Sequence, residues 1–165
     1  MLGKPYDSQV CSAARALELV GERWSLLIIR NALFASATRF NDFLTLGIAT
    51  NILKSRLDGF VDAGIMVRHS NPGNQDHFEY VLTDKGRELT PIIIALTEWG
   101  DRWAAPDGPP ILYIHSTCGG PITLQTSCAN CGLVRDPSEI GVRPGPGMPA
   151  DMAERVVGRM SGASG

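Results

Sequence analysis

The sequence lacks any long hydrophobic run. Its longest apolar stretches, Leu26 to Ile29 and Ile92 to Leu96, are far too short to cross a bilayer. The N-terminal residues MLGKPYDSQ also lack the basic and apolar blocks of a signal peptide. We therefore expect a soluble, cytoplasmic protein that has no membrane partner. With 165 residues, of which 44% are hydrophobic, the chain can form one core, or a core with a small appended unit.

The sequence also lacks an excess of charge of either sign. The chain has 15 Lys and Arg residues against 17 Asp and Glu residues, which gives a net charge of −2. This balance provides no overall attraction to nucleic acid, so any DNA binding has to come from locally placed cations. Enzyme signatures are also missing, because the sequence has no Gly-rich phosphate loop, nucleophile elbow or acid/base constellation. We therefore predict that the protein is not an enzyme.

Cysteine occurs only four times, and its distribution is uneven. Cys11 stands alone near the start, whereas Cys118, Cys128 and Cys131 lie close together near the end. In a reducing compartment, such clustering favours metal or redox chemistry over structural disulfides.

Apolar residues recur at helical spacing through the first part of the chain. The segments Val10 to Val20 and Glu22 to Phe34 predict two helices that are separated at Gly21. The segment Arg39 to Leu44 then predicts a short third helix.

The stretch Ile48 to His69 begins with an amphipathic helix. Its apolar side combines residues at three- and four-residue spacing, namely Ile48, Ile52, Leu53, Leu57, Phe60 and Val61. Its other side is polar and partly basic, and carries Thr50, Asn51, Lys54, Ser55 and Asp58. Such a side is either simply solvated or contacts base edges and phosphates in a DNA major groove. The order of short helix, turn and outward-facing helix is that of a helix-turn-helix.

A β-hairpin is predicted directly after this helix. Gly64 is suited to end the helix, and the segments 65–69 and 78–82 have strand character. The turn chemistry of Pro72-Gly73 lies between them, and the combination predicts a winged helix. Arg68 and His69 would then contact the minor groove or phosphates; the alternative is a plain surface hairpin.

A long apolar helix is predicted after the hairpin. Thr83 can cap its start, and Pro91 predicts a kink or break near residues 87–90. Its apolar face is larger than a small domain needs, which predicts burial against a second copy of the chain; the alternative is packing within one domain. The predicted dimer contacts are Leu89, Ile92, Ile93, Leu96 and Trp99.

The segment AAPDGPP, residues 104–110, is a composition break that predicts a linker. Strands are predicted at residues 111–114 and 122–126, and each leads into a turn with ligand-type side chains. These ligands are His115, Cys118, Cys128 and Cys131. Their spacing predicts a zinc ribbon with one structural Zn²⁺; a dithiol or two buried cysteines are the alternatives for the Cys-x-x-Cys pair. Residues 151–160 predict a short helix, and residues 161–165 a flexible tail.

Several segments in this order resemble the HxlR family of bacterial transcriptional regulators, which are relatives of the MarR group. The matching segments are CSAARAL at 11–17, GERWSLLI at 21–28, RFNDF at 39–43, residues 48–64 and EYVLTDKG at 79–86. The resemblance implies a dimeric winged helix that binds palindromic operator DNA, with residues 50–62 as the recognition helix. It also implies a sensing role for Cys11, since some family members use a cysteine there to detect oxidants; packing is the alternative.

Together these observations predict an α+β protein. Residues 1–103 form a winged helix-turn-helix with a C-terminal dimerisation helix, 104–110 a linker, 111–160 a small β-rich unit and 161–165 the tail. The expected function is a homodimeric, DNA-binding regulator that responds to a small molecule or redox signal. The alternative is a zinc or dithiol interaction module whose winged helix does not bind DNA. The predicted DNA contacts are Arg39, Thr50, Asn51, Lys54, Ser55, Arg56, Arg68 and His69.

Overall fold

The computed structural model of the chain describes residue 6, residues 9–71 and residues 74–161, without the side chains of 71–77 and 156–161. It divides at Leu124 into two compact units, which are described separately below.

Four helices open the first unit, each close to where the apolar spacing predicted it. They are α1 (Ser12–Val20), α2 (Ser25–Phe34), α3 (Phe40–Leu44) and α4 (Thr50–Asp62). Their inward residues form one core whose most deeply buried aliphatic and aromatic side chains include Ile28, Ile29, Phe43, Leu53 and Leu57. Asp42 fixes the start of α3, because its carboxylate accepts hydrogen bonds from the backbone N–H groups of Thr38 and Arg39 at 3.0 and 2.8 Å.

The buried side of α4 is narrower than the sequence predicted. Leu53, Leu57 and Phe60 are buried, at spacings of four and three residues, which places them on one face of a helix. Ile52 was predicted to face inward, and this is wrong, because its side chain is 41% exposed. It precedes Leu53 by one residue, about 100° around the helix, and therefore turns away from the core.

The predicted hairpin is present and is longer than expected. Strands β1 (Met66–Asn71) and β2 (Asn74–Leu82) are antiparallel, and the register pairs Arg68 with Tyr80 and His69 with Glu79. The β1–β2 hairpin is the wing of the winged helix. The segment before α3 is bonded to this wing, because the Tyr80 N–H donates to the Thr38 carbonyl at 2.7 Å. Gly64 has φ +66°, as a helix-ending glycine requires. The predicted Pro72-Gly73 turn lies outside the described residues.

The predicted break in the next helix is confirmed. Helix α5 (Asp84–Arg87) ends before α6 (Thr90–Trp103) begins, and Pro91 lies in the first turn of α6. A proline is tolerated there because the first turn has no intrahelical partner for its missing N–H. Thr83 caps α5 by accepting from the Gly86 N–H at 3.2 Å.

Residues 104–124, which include the predicted linker, belong to the first unit. Two contacts attach this segment to the helices. The Leu124 N–H donates to the Glu98 carboxylate at 3.0 Å, and the ring of Tyr113 lies 4.6 Å from that of Phe34. The strand predictions here are wrong: only Ile114 forms an isolated bridge, to Pro121, and residues 122–126 form no strand. The bridge consists of two backbone hydrogen bonds, from the His115 N–H to the Gly120 carbonyl at 2.8 Å and from the Ile122 N–H to the Tyr113 carbonyl at 2.9 Å.

The second unit contains a minimal hairpin and a helix. Strands β3 (Ser127–Cys128) and β4 (Gly132–Leu133) pair with Cys128 opposite Gly132. Helix α7 (Ala150–Ser161) confirms the predicted helix at 151–160, and the rest of the predicted tail, 162–165, lies outside the described residues. Throughout the part of the chain that the structure describes, no helix is both long and apolar enough to cross a membrane.

Candidate nucleic-acid interface

The polar side of α4 is presented to solvent. Thr50, Asn51, Lys54 and Ser55 are exposed there, and Arg56 is half-buried at the flank. Ile52 lies among them and adds one apolar contact to an otherwise polar surface. A helix that buries Leu53 and Leu57 and exposes these side chains has the form that fits a major groove.

A cleft of about 470 Å³ lies between α3, α4 and the wing. Its lining combines cations, aromatic rings and one carboxylate, namely Arg39, Phe40, Asn41, Lys54, Asp58, Arg68, Phe78 and Tyr80. Three of the predicted DNA contacts, Arg39, Lys54 and Arg68, therefore meet in one place although they lie on three different elements.

The wing presents its two predicted contacts on opposite faces. Side chains alternate along a strand, and cross-strand partners share a face, so Arg68 and Tyr80 face the cleft together. The guanidinium of Arg68 stacks over the ring of Phe78 at 4.4 Å, which fixes its position. His69 pairs with Glu79 and lies on the other face, where it is exposed. The structure therefore brings Arg68 to the cleft and leaves His69 outside it.

Two ion pairs hold the cleft cations. Lys54 Nζ lies 2.6 Å from Asp58 Oδ2 one turn along α4. Arg39 Nε lies 3.5 Å from Glu79 Oε1, which is on the face of the wing that carries His69, so the Arg39 guanidinium extends from the margin of the cleft toward that face. The hydrogen bond to Asp58, with its negative charge, raises the pKa of Lys54. Lys54 is therefore firmly cationic, and a DNA phosphate that approaches it has to compete with Asp58.

The sequence did not identify the aromatic lining of the cleft. Helical spacing predicts that Phe40 faces inward, and Phe40 does pack partly on the core while it also lines the cleft. The segment that holds Phe78 and Tyr80 is predicted only as a strand. The alternation of these two residues with Glu79 does indicate a shared face, but no local pattern indicates that this face meets α3 and α4.

The four predicted zinc ligands occupy two tight turns. In the first unit, His115 Nδ1 lies 3.2 Å from Cys118 Sγ. In the second, Cys128 and Cys131 flank the tip of the β3–β4 hairpin, and the backbone N–H groups of Asn130 and Cys131 lower the pKa of the Cys128 thiol. Within the described residues, no three His, Cys, Asp or Glu side chains converge on a metal position. Zinc binding thus stays a prediction.

Cys11 lies at the start of α1, directly before Ser12. Its thiol is exposed and unpaired with any other cysteine. The backbone N–H groups of Ala14 and Ala13 lower its pKa, as the free amides at a helix N-terminus do for a thiolate. Exposure argues against the packing alternative for Cys11.

The HxlR-like helix-turn-helix family model matches residues 19–108, which is more than half of the chain. The chain belongs to the HxlR family. An HxlR assignment agrees with the α3–α4 pair and the wing, and it makes the protein a helix-turn-helix transcriptional regulator.

Relatives of this HxlR protein include an uncharacterised HTH-type transcriptional regulator of Mycobacterium tuberculosis, Rv3095. It is 41% identical over 86% of this chain and 90% of its own length. The crystal structure of PA1607, a putative transcription factor, is 35% identical with a TM-score of 0.76, and covers 85% of this chain and 99% of that one. The redox regulator HypR in its reduced form is 27% identical with a TM-score of 0.50, over 56% of this chain and 92% of its own.

The relatives differ in how much of this chain they match. The Rv3095 match spans 86% of the 165 residues and therefore has to include residues 115–131, whichever end it omits. The HypR match spans little more than half of the chain. The segment with the two cysteine turns is thus shared with Rv3095 and is an addition to the common HxlR domain.

Proposed function

We propose that the protein is a homodimeric regulator that binds palindromic operator DNA through α4 and the wing. The observation that carries this proposal is the convergence of Arg39, Lys54 and Arg68 at the cleft beside the exposed face of α4. Local cations of this kind supply the attraction that the net charge of −2 does not provide.

In this arrangement α4 lies in the major groove. Thr50, Asn51, Lys54 and Ser55 face base edges, where hydroxyl, amide and amine groups discriminate between base pairs. Ile52 is suited to contact a thymine methyl group.

Phosphate contacts flank the recognition helix. Arg39 and Arg68 line the cleft beside it, and their guanidinium groups are suited to bind backbone phosphates. Arg56, which is half-buried, and His69, on the outer face of the wing, are proposed as further contacts at the margin of the interface. These contacts position the protein and carry no sequence information themselves.

The second copy of the chain is proposed to pack on α6. Trp99, Leu96 and Ile92 are 61, 50 and 45% exposed, which is unusual for large apolar side chains on one helix. Ile93 is only 3% exposed and Leu89 packs partly on the protomer's own core, so these two residues support α6 from within. The contact with the partner then rests on the other three.

Cys11 is proposed as the site of redox response. Its exposed thiol with a lowered pKa reacts as thiolate near neutral pH more readily than an ordinary cysteine. The name of HypR, a redox regulator that shares the common domain, supports the proposal. Diamide treatment should weaken operator binding of the wild-type chain and leave Cys11→Ser unaffected; equal sensitivity of both would remove Cys11 from the proposal.

Genome-wide mapping of bound DNA tests the proposed function. We expect enriched sites that share a two-fold symmetric motif whose half-sites are about 34 Å, or one helical turn, apart, because a two-fold dimer places two copies of α4 on one side of the duplex. The matched control is a strain that carries Lys54→Ala, in which these peaks should disappear. A wild-type map with no enrichment over background would instead favour an interaction module that does not bind DNA.

A further inference from the structure

The cleft between α3, α4 and the wing has fixed aromatic walls. Its volume of about 470 Å³ lies within the range of sites that enclose small organic molecules, roughly 300–1,000 Å³. The rings of Phe40, Phe78 and Tyr80 form part of the lining. Phe40 and Phe78 pack partly on the core, and Tyr80 is only 6% exposed, so the protein core supports all three rings.

Duplex DNA leaves these rings without a partner. The bases of a duplex are stacked inside the helix, and a surface beside the recognition helix meets phosphates and sugars. Phosphates can reach the cations of the cleft, but they offer nothing that stacks on an aromatic ring. The aromatic lining therefore fits a ligand that contains a ring of its own.

The charges of the cleft indicate that such a ligand is an anion with a single charge. Lys54 Nζ lies 2.6 Å from Asp58 Oδ2, so these two charges compensate each other. Arg39 is paired with Glu79, on the other face of the wing. Arg68 differs from both cations, because none of the carboxylates that the structure describes lies within ion-pair distance of its guanidinium.

The guanidinium of Arg68 is already positioned for a carboxylate. It stacks over the ring of Phe78 at 4.4 Å, and a stacked guanidinium keeps its N–H edge available for two parallel hydrogen bonds. Arg68 pairs with Tyr80 in the strand register, so both side chains stand on the cleft face of the wing. The hydrogen bond to Asp58 raises the pKa of Lys54, and the positive charge of Arg68 acts against this rise. A bound anion relieves that repulsion between the two cations.

We propose that the cleft is an effector site for an aromatic monocarboxylate. The carboxylate binds Arg68, and the aromatic ring lies against Phe78 and Tyr80. Because Arg68 is also a proposed phosphate contact, the effector and operator DNA compete for it, and the bound effector weakens DNA binding. The competition rests on the proposed function, whereas the binding site for the effector does not.

Calorimetric titration of the full chain with three probes tests the site in the absence of DNA. The probe 2-naphthoate carries a ring system and a charge, 2-naphthamide has the same ring system without the charge, and acetate has the charge without the ring. We expect 2-naphthoate to bind at least about tenfold more tightly than either of the others. Equal binding of 2-naphthoate and 2-naphthamide would overturn the proposal, as would a chain that binds no 2-naphthoate.

One substitution and its matched control locate the probe. Arg68→Gln should lower the affinity for 2-naphthoate to that for 2-naphthamide, whereas Arg87→Gln, which removes an exposed arginine from α5, should retain the wild-type affinity. If Arg68→Gln fails to fold, the bromine of 6-bromo-2-naphthoate locates the probe by anomalous scattering in crystals of the wild-type chain. An unchanged affinity in Arg68→Gln, or a bromine outside the cleft, would overturn the proposal.

Fluorescence anisotropy on an operator duplex tests the competition. At a 2-naphthoate concentration of about ten times its Kd, operator affinity should fall at least about tenfold, because the two ligands exclude each other. The same concentration of 2-naphthamide should have no effect. Operator affinity that is unchanged by 2-naphthoate would overturn the competition. A chain that binds 2-naphthoate at Arg68 but no DNA would contradict only the proposed function, and a chain that binds its operator but no 2-naphthoate would contradict only the effector site.

Discussion

Lys54 Nζ and Asp58 Oδ2 lie 2.6 Å apart on successive turns of α4. The ion pair places a carboxylate beside the cation that the proposed interface offers to DNA. Asp58 therefore orients Lys54 in the free protein and repels the phosphates of the bound duplex. Because Lys54 is largely exposed and Asp58 is partly exposed, the ion pair itself contributes little, and the second effect should exceed the first.

The Asp58→Asn variant should accordingly bind operator DNA about two- to fivefold more tightly. This change in affinity corresponds to the interaction free energy that is typical of a surface ion pair. Non-specific DNA should gain by a similar factor, because the carboxylate that is removed repels phosphates in any sequence. Fluorescence anisotropy on operator and scrambled duplexes measures both effects. Asp107→Asn, which changes the net charge equally from an exposed position in the segment after α6, is the control. Weaker binding by Asp58→Asn alone would mean that orientation of Lys54 dominates.

Replacement of Gly59 and of Gly86 by alanine should have opposite effects on the stability of the fold. A Cβ at Gly59, in the middle of α4, would meet nothing within 4 Å, so Gly59→Ala should stabilise the chain by about 1 kcal/mol. A Cβ at Gly86 would lie 2.3 Å from the Ile65 carbonyl oxygen and 2.7 Å from Leu82 Cδ2, so Gly86→Ala should cost about 1–3 kcal/mol. Calorimetry should show Tm about 3 °C higher for the first variant and clearly lower for the second. Equal Tm values for the two variants would contradict the packing around Gly86.

Asp42 gives a stability that depends on pH. The backbone N–H groups of Arg39 and Thr38 hold the pKa of its carboxyl below the ordinary value of 3.8. A lowered folded-state pKa means that the charged form stabilises the fold fully above pH 3.8, and that this contribution is lost as the pH falls through the lower, folded-state value. Asp42→Ala should therefore cost about 1 kcal/mol at neutral pH.

Denaturant unfolding from pH 7 down to pH 2 checks this expectation. The gap between wild type and Asp42→Ala should be constant down to about pH 4 and should then close. A gap that persists unchanged in acid would show that the carboxylate charge is not responsible.

The exposed apolar face of α6 is the proposed dimer interface, and its disruption should change the oligomeric state. Leu96→Asp places a charge in the centre of the proposed dimer contact and should yield a monomer by analytical ultracentrifugation. Its operator affinity should fall about 100-fold or more, because two linked half-site contacts become one. Val142→Asp, at another exposed apolar position, should leave both properties unchanged. A Leu96→Asp chain that remains dimeric would place the interface elsewhere.

Much of the first unit follows from local sequence. Helical spacing, Gly64, Thr83 and Pro91 each act on the backbone within a few residues, so element order and the α5–α6 break were predictable. The prediction for Ile52 was wrong because Ile52 and Leu53 are adjacent, and apolar spacing in a short helix does not show which of two adjacent apolar residues faces the core. In the structure Leu53 and Leu57 are the buried residues, and Ile52 is exposed.

The cleft and the strands after residue 110 were not predictable in the same way. Arg39, Lys54 and Arg68 meet only because the segment before α3 pairs with β2, a long-range bond from Tyr80 to Thr38 that no local pattern encodes. Residues 111–126 have strand-type composition, but a strand also needs a partner along its edge, and the pairing that forms here is limited to the single bridge between Ile114 and Pro121.

The salt dependence of operator binding tests the central claim most directly. Each phosphate contact contributes about −0.9 to the slope of log K against log salt concentration. Arg39→Ala combined with Arg68→Ala removes four contacts from a dimer, so the slope should become shallower by about 3 to 4 between 50 and 200 mM salt. The matched control removes two exposed arginines from the second unit, Arg135→Ala with Arg143→Ala, and should retain the wild-type slope. A wild-type slope in the Arg39/Arg68 variant would contradict DNA binding at this cleft.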